Sequence, residues 1–191
     1  MNYLWRLTRF LHFEIKRIWH NNSFEKDAHS VALHSNLSSW AFGNKNKEVI
    51  MSEGTFKKVG KSTEPMYGPR AILVCGFTPS EQKTMIKLLD TIQLKDVPVI
   101  FATDADTEIC LCELLTLPNQ KGRNTDCDIE RAVVLSGITE RELQQILSNY
   151  KGTGLPRPLW ATLTPFSENW ALSTLLEELK KERIAMENRN R

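Results

Sequence analysis

The side chains able to do chemistry are spread unevenly along the chain. All four histidines, His12, His20, His29 and His34, stand near the amino terminus. Catalysis elsewhere would therefore have to use carboxylates, Lys, Tyr or Cys, without the commonest general base and metal ligand. This argues against a hydrolase triad and against a catalytic zinc site. The cysteines are Cys75, Cys110, Cys112 and Cys127. Cys110 and Cys112 are two apart rather than the three of a CxxC pair, and on a helix that spacing turns them to different faces. All four read as buried free thiols, acting as small hydrophobes in a reducing compartment. Neither a metal nor a cofactor is expected.

Two glycine turns are the best candidates for ligand contact. Gly76-Phe77-Thr78 and Gly137-Ile138-Thr139 each connect a short apolar run to a helix start, where backbone amides and the helix dipole favour an anion. Gly76, Thr78, Gly137 and Thr139 are accordingly the candidate small-ligand or anion-binding residues. Neither turn has GxGxxG or GxxxxGK[ST] spacing, and a capping Thr already satisfies an amide that a phosphate would use, so plain turn chemistry competes. Asp104, Asp106 and Glu108 near Thr103, and Glu168 near the equivalent Thr164, could bind a cation or serve as acid and base, against a reading as helix-dipole partners. Asp126, Asp128 and Glu130 read as a solvated cluster. An enzyme working through Asp104 or Cys75 is a third possibility, and the balance of residues leans against catalysis. Trp160 and Trp170 could anchor a partner, since aromatics dominate interface hot spots, with core packing as the competing role.

These residues sit on a repeated pattern. An offset of 61 residues carries Ala71–Leu115 onto Ala132–Leu176 without a gap, matching Ala71, Gly76, Thr78, Glu81, Leu94, Thr103, Leu111, Leu114 and Leu115 to identical residues. Each copy begins with an apolar run, Ala71–Cys75 or Ala132–Ser136, of the kind covered on both sheet faces. A capping box follows, Thr78-Pro79-Ser80-Glu81 or Thr139-Glu140-Arg141-Glu142, and starts a helix. The first helix should bury Met85, Ile86, Leu89 and Ile92, and its counterpart Leu143, Ile146, Leu147 and Tyr150. Residues 97–102 and 158–163 return as strands, with prolines near their starts that suit sheet edges. A short helix around 109–115 closes the first half. A long one from about 168 to 187 closes the second, burying Leu172, Leu175, Leu176 and Leu179 and pairing Glu177 with Lys181. The expected fold is α/β, an internally duplicated βαβα with a four-stranded sheet and helices on both faces. A split βαβ, ferredoxin-like sheet is the alternative, since both put the first and third strands centrally.

The expected organisation is a mobile segment over 1–68, a single domain over 69–187 whose halves are 71–117 and 132–178, and a tail over 188–191. Leu4, Leu7, Leu11, Ile15 and Ile18 with interspersed Arg and Lys predict a basic amphipathic helix in the first 20 residues. It reads either as an organelle-targeting segment or as an extension without an address, and Met51 could be an alternative start. With 191 residues, 41% hydrophobic and 25% charged, the chain is sized for one core. The first 50 residues hold seven of the 25 basic and four of the 23 acidic residues, which leaves 18 against 19 in the body. So balanced a body offers little to phosphate backbones, and no nucleic acid is expected. No apolar run approaches the length of a transmembrane helix.

From Arg131 to Thr139, and above all at Leu159-Trp160-Ala161-Thr162-Leu163-Thr164-Pro165 leading to Trp170 and Leu175–Leu179, the sequence resembles an uncharacterised domain-of-unknown-function family of bacteria and plants. That family carries a T-P-T-N-x-x-W loop before its last helix. Thr164, Pro165 and Trp170 match it, and Ser167 stands at the Asn position, an exchange between two good N-caps that fits a helix start. Trp160 stands where the family often has Lys, so no cationic catalytic role carries over. The resemblance covers Ala132–Glu182 best, is weaker over Ala71–Leu117 and stops before Tyr67. It implies an organelle, the plastid (chloroplast) first, with mitochondrion or cytoplasm as alternatives. The functional expectation is a non-enzymatic module acting through protein contacts, with an unidentified partner and an open oligomeric state. Its partner-binding residues would be Thr164, Pro165, Ser167 and Trp170. The alternative is a small-ligand or anion-binding regulatory domain built on the two glycine turns.

Overall fold

The computed structural model describes residues 62–189. The helix expected over the first 20 residues, the four histidines and Met51 lie outside the described residues. Within 62–189 the elements are β1 (Ala71–Cys75), α1 (Pro79–Thr91), β2 (Val99–Phe101), a 3-10 turn (Asp104–Asp106), α2 (Leu111–Leu114), β3 (Ala132–Ser136), α3 (Glu140–Tyr150), a 3-10 turn (Lys151–Thr153), β4 (Leu159–Thr162) and α4 (Leu172–Arg189).

The sheet is open and four-stranded, in the order β2-β1-β3-β4. β1 runs parallel to β2 and β3 parallel to β4, while β1 and β3 are antiparallel. The expected α/β class, the central pair and the edge pair are therefore observed, and the sheet is mixed. The ferredoxin-like alternative fails because each central strand lies beside the next strand of its own half. Continuous apolar runs occupy the centre because both of their faces are covered. Ile72, Val74, Val133 and Leu135 enter the cluster beneath α1 and α3, and Leu73, Cys75, Ala132 and Val134 the cluster beneath α2 and α4.

Contacts recur at the 61-residue offset. Ile72, Leu73 and Val74 pair with Val99, Ile100 and Phe101, and Val133, Val134 and Leu135 with Trp160, Ala161 and Thr162. The antiparallel ladder pairs Leu73 with Val134 at its centre. Ala102 N donates to Val74 O at 2.9 Å, and Leu163 N to Leu135 O at 2.9 Å.

The helices depart from expectation in detail. In α1 the buried residues are Gln82, Met85, Leu88 and Leu89, with Ile86 and Ile92 only partly covered. The stripe is shifted because Gln82 is inside: its amide donates to Phe77 O and Thr125 O, and its oxygen accepts from Asn124 N. α3 and α4 bury the residues expected of them. α4 starts at Leu172 and runs through the first two tail residues to Arg189, and its Lys181 pairs with Glu178 instead of Glu177.

Two loops are part of the fold. The connector between the halves lies along the outer edge of β2, where Phe101 N donates to Lys121 O, Gln120 N to Val99 O, and Val99 N to the Asn119 side chain. Of the stretch 1–68, residues 65–68 are held on the domain: Pro65 bridges Thr139, Met66 N donates to Ile138 O, and Gly137 N to Tyr67 O.

Candidate functional site

At the glycine turns, the chain must leave a central strand and enter a helix within three residues. Gly76 and Gly137 do so at φ +68° and +58°, in the left-handed region that favours glycine. A Cβ at Gly76 would lie 2.4 Å from Ile129 O, and one at Gly137 would lie 2.6 Å from Gly68 O. Each glycine is therefore pressed against the backbone that enters the other half's strand, and the space beside it is already filled.

The cap amides at both helix starts are also engaged. Thr78 donates its amide and its hydroxyl to Glu81 at 2.8 and 3.0 Å. Thr139 N donates to Glu142 at 2.7 Å, and Glu142 N donates back to the Thr139 hydroxyl at 3.2 Å. An arginine from the opposite half then locks each glutamate. Arg70 makes a two-pronged pair with Glu142 at 2.7 and 3.0 Å, and Arg131 reaches both oxygens of Glu81 at 2.8 and 2.9 Å while stacking over Phe77. The Arg70 guanidinium holds the Glu142 carboxyl at about 2, against the opposing effect of burial. Burial pushes Glu81 upward, and Arg131 with Thr78 outweighs it, so this carboxyl also lies below its ordinary value. Gly76, Thr78, Gly137 and Thr139 thus form two similar corners, each with its anionic place taken by a side chain of the same protein.

The loop before α4 brings the other candidates together. Thr164 and Ser167 close a tight turn: Ser167 N donates to Thr164 O at 3.1 Å, Thr164 N donates to the Ser167 hydroxyl at 3.2 Å, and Trp170 N donates to Ser167 O at 3.0 Å. Ser167 therefore braces the loop and does not cap α4, which begins five residues later. Pro165 is exposed. Trp170 packs partly against the core beneath α4 and meets Phe166 edge to face at 5.8 Å. Phe166 is 47% exposed, and Tyr67, which donates to the Glu168 carboxylate, is 43% exposed. That hydrogen bond, reinforced by the carboxylate's charge, raises the Tyr67 hydroxyl above its ordinary value. Tyr67 and Phe166 join this surface without having been singled out in the sequence, and Glu168, a carboxylate candidate there, serves as the hydrogen-bond acceptor of Tyr67. Trp160 is buried and stacks edge to face on Tyr150 at 5.1 Å, which places it in the core.

The remaining chemical candidates stand apart from both places. Asp106 is buried, accepts from Thr103 N and Oγ1, and pairs with Lys121 at 2.5 Å. Asp104 accepts from Asp128 N at 3.1 Å. Among the described residues no group of three or more His, Cys, Asp or Glu side chains is arranged to hold a metal ion, and no helix is long and apolar enough to cross a membrane. Cys75 is wholly buried, and burial drives its thiol far above its ordinary value, which makes it a poor nucleophile. The expectation of four free thiols is corrected: Cys110 and Cys112 are joined as a disulfide, and only Cys75 and Cys127 are free. They can meet because Cys110 precedes α2 with an extended backbone, so the helical separation of faces does not apply.

A family model described as a domain of unknown function (DUF3783) matches residues 131–186. The matched stretch contains β3, α3, β4 and most of α4. Neither the curated proteins nor the solved structures provide a match to this chain.

Proposed function

We propose that this protein is a non-enzymatic module that works in an organelle by binding another protein through the loop before α4. The observation that carries the reading is two exposed aromatics at a loop that is already fixed, Phe166 on the loop itself and Tyr67 reaching it from the segment before β1. Phe166 leans on Trp170, Tyr67 is tethered to Glu168, and the Thr164–Ser167 turn braces the whole. Large aromatic side chains held in place lose little freedom on binding, so their burial is returned as affinity. The likeness of Thr164, Pro165, Ser167 and Trp170 to a T-P-T-N-x-x-W loop supports the same surface. The anion-binding alternative is weakened by the glutamates that already occupy both helix starts. We also infer that the chain arose by doubling of a βαβα unit, on the strength of the identities and the strand contacts that recur at one offset.

The test is affinity capture from an organelle extract with the full chain and its Phe166→Ser variant. A single stoichiometric partner, captured by the parent and lost with the variant, supports the reading. The variant should keep its stability within about 0.5 kcal/mol, as exposed positions do. Thermal stabilisation by a nucleotide or a phosphorylated metabolite, lost on Thr78→Val or Thr139→Val, would replace it with the anion-binding one.

A further inference from the structure

The Cys110–Cys112 disulfide joins Cα atoms 5.4 Å apart across one intervening residue. Cys110 is the N-cap of α2 and Cys112 lies in its single turn. Both are partly exposed, whereas Cys75 is wholly buried. A bridge closing so short a loop restrains the unfolded chain far less than a long-range one and adds little stability.

The second half shows what this turn requires. Leu111 N donates to Trp170 O at 3.0 Å and Cys112 N to Glu168 O at 2.9 Å. Their counterparts are Leu172 N to Ile109 O at 3.1 Å and Ser173 N to Thr107 O at 2.8 Å, on the other side of the bridge that pairs Cys110 with Ala171. Ala171 and Ser173 therefore stand where the first half has Cys110 and Cys112, and the same bonds form with no sulfur present. The backbone does not need this disulfide, stability gains little from it, and solvent reaches both cysteines.

We propose that Cys110–Cys112 is a thiol–disulfide exchange site, opened and re-formed in the folded protein by a small thiol of the glutathione class. The incoming thiolate attacks one sulfur and forms a mixed disulfide. The Cys110–Cys112 bond breaks, and the departing sulfur leaves as a thiolate that takes a proton from water. A second glutathione thiolate attacks the sulfur of the bound glutathione and releases the remaining cysteine, which is protonated in turn. Two glutathione thiols are oxidised to their disulfide, and Cys110 and Cys112 gain two electrons and two protons.

The test equilibrates the full chain with mixtures of reduced and oxidised glutathione, traps free thiols with iodoacetamide and locates them by peptide mass spectrometry. Alkylation at Cys110 and Cys112 should rise together with the reduced fraction, reverse on re-oxidation, and leave Cys75 unmodified and the circular dichroism unchanged. Cys112→Ser should take up one glutathione at Cys110. The double variant Cys110→Ala with Cys112→Ser copies the second half and should melt within about 6 °C of the parent. A bond that persists in the folded protein at every ratio overturns the proposal, as do cysteines that stay alkylatable in oxidised glutathione alone. A larger fall in melting temperature overturns it too, because it makes the bridge structural.

Discussion

Glycine serves two unrelated purposes here, and a one-atom substitution separates them. At Gly76 an alanine would have to keep a left-handed backbone and place its methyl carbon 2.4 Å from Ile129 O, and at Gly137 2.6 Å from Gly68 O. Gly152, in the 3-10 turn after α3, has nothing within 4 Å of the same added atom and no left-handed φ. Gly76→Ala and Gly137→Ala should each cost more than about 2 kcal/mol, from the left-handed penalty plus the displaced backbone. Gly152→Ala should be neutral or stabilise by up to about 1 kcal/mol, through the unfolded state. Urea unfolding of the three variants checks this, and a Gly76→Ala protein as stable as the parent would show that the close backbone approach is not needed.

Between elements, the two arginine–glutamate pairs tie the entry of each central strand to the first turn of the helix in the other half. Their effect must depend on pH in a definite direction. The Glu142 carboxyl sits at about 2 in the folded protein, held by Arg70, against an ordinary value of 4.5. A carboxyl lowered on folding lends stability that is complete above its unfolded value and disappears as protons are added down to the folded one. The melting temperature should therefore fall between about pH 4.5 and pH 2, and the fall should be shallower in Arg70→Met, where the carboxyl has lost its partner. At pH 7 the same substitution should cost about 1.5–3 kcal/mol, the range for hydrogen bonds to a charged group. An acid profile identical in the two proteins would remove this role from Arg70. The capping boxes behind these pairs were legible because Thr and Glu three apart carry their own local geometry. Arg70 and Arg131 carry none, since a strand-flanking arginine looks solvated until the opposite half is placed beside it. The identity between them lay one residue before the aligned stretch and was the available signal. Tyr67 escaped notice for a related reason: its Glu168 partner is distant in sequence, and the turn-rich stretch around it gives no sign that Met66–Gly68 docks on the end of β3.

At the scale of the whole molecule, the periodic patterns were enough to give the strands, their central and edge places, and the buried faces of α3 and α4. The direction of β3 against β1 was not legible, because a run buried on both faces reads the same in either orientation. That direction has a physical consequence once the chain is read as a doubled unit. The β1–β3 ladder is centred where Leu73 faces Val134, so the pairing is nearly that of a strand with its own equivalent. The family match at residues 131–186 covers one such unit, whose β3 would by itself present an unpaired apolar edge. A fragment of residues 129–189 should therefore associate in pairs, with β3 of one copy antiparallel to β3 of the other and Val134 facing Val134. Sedimentation equilibrium would report twice the fragment mass, and Val134→Asp, which sets two like charges face to face at the centre of that ladder, should return it to monomers. A fragment that is folded and monomeric at high concentration would mean that β3 closes its edge in some other way, and the doubled-unit reading would lose its structural support.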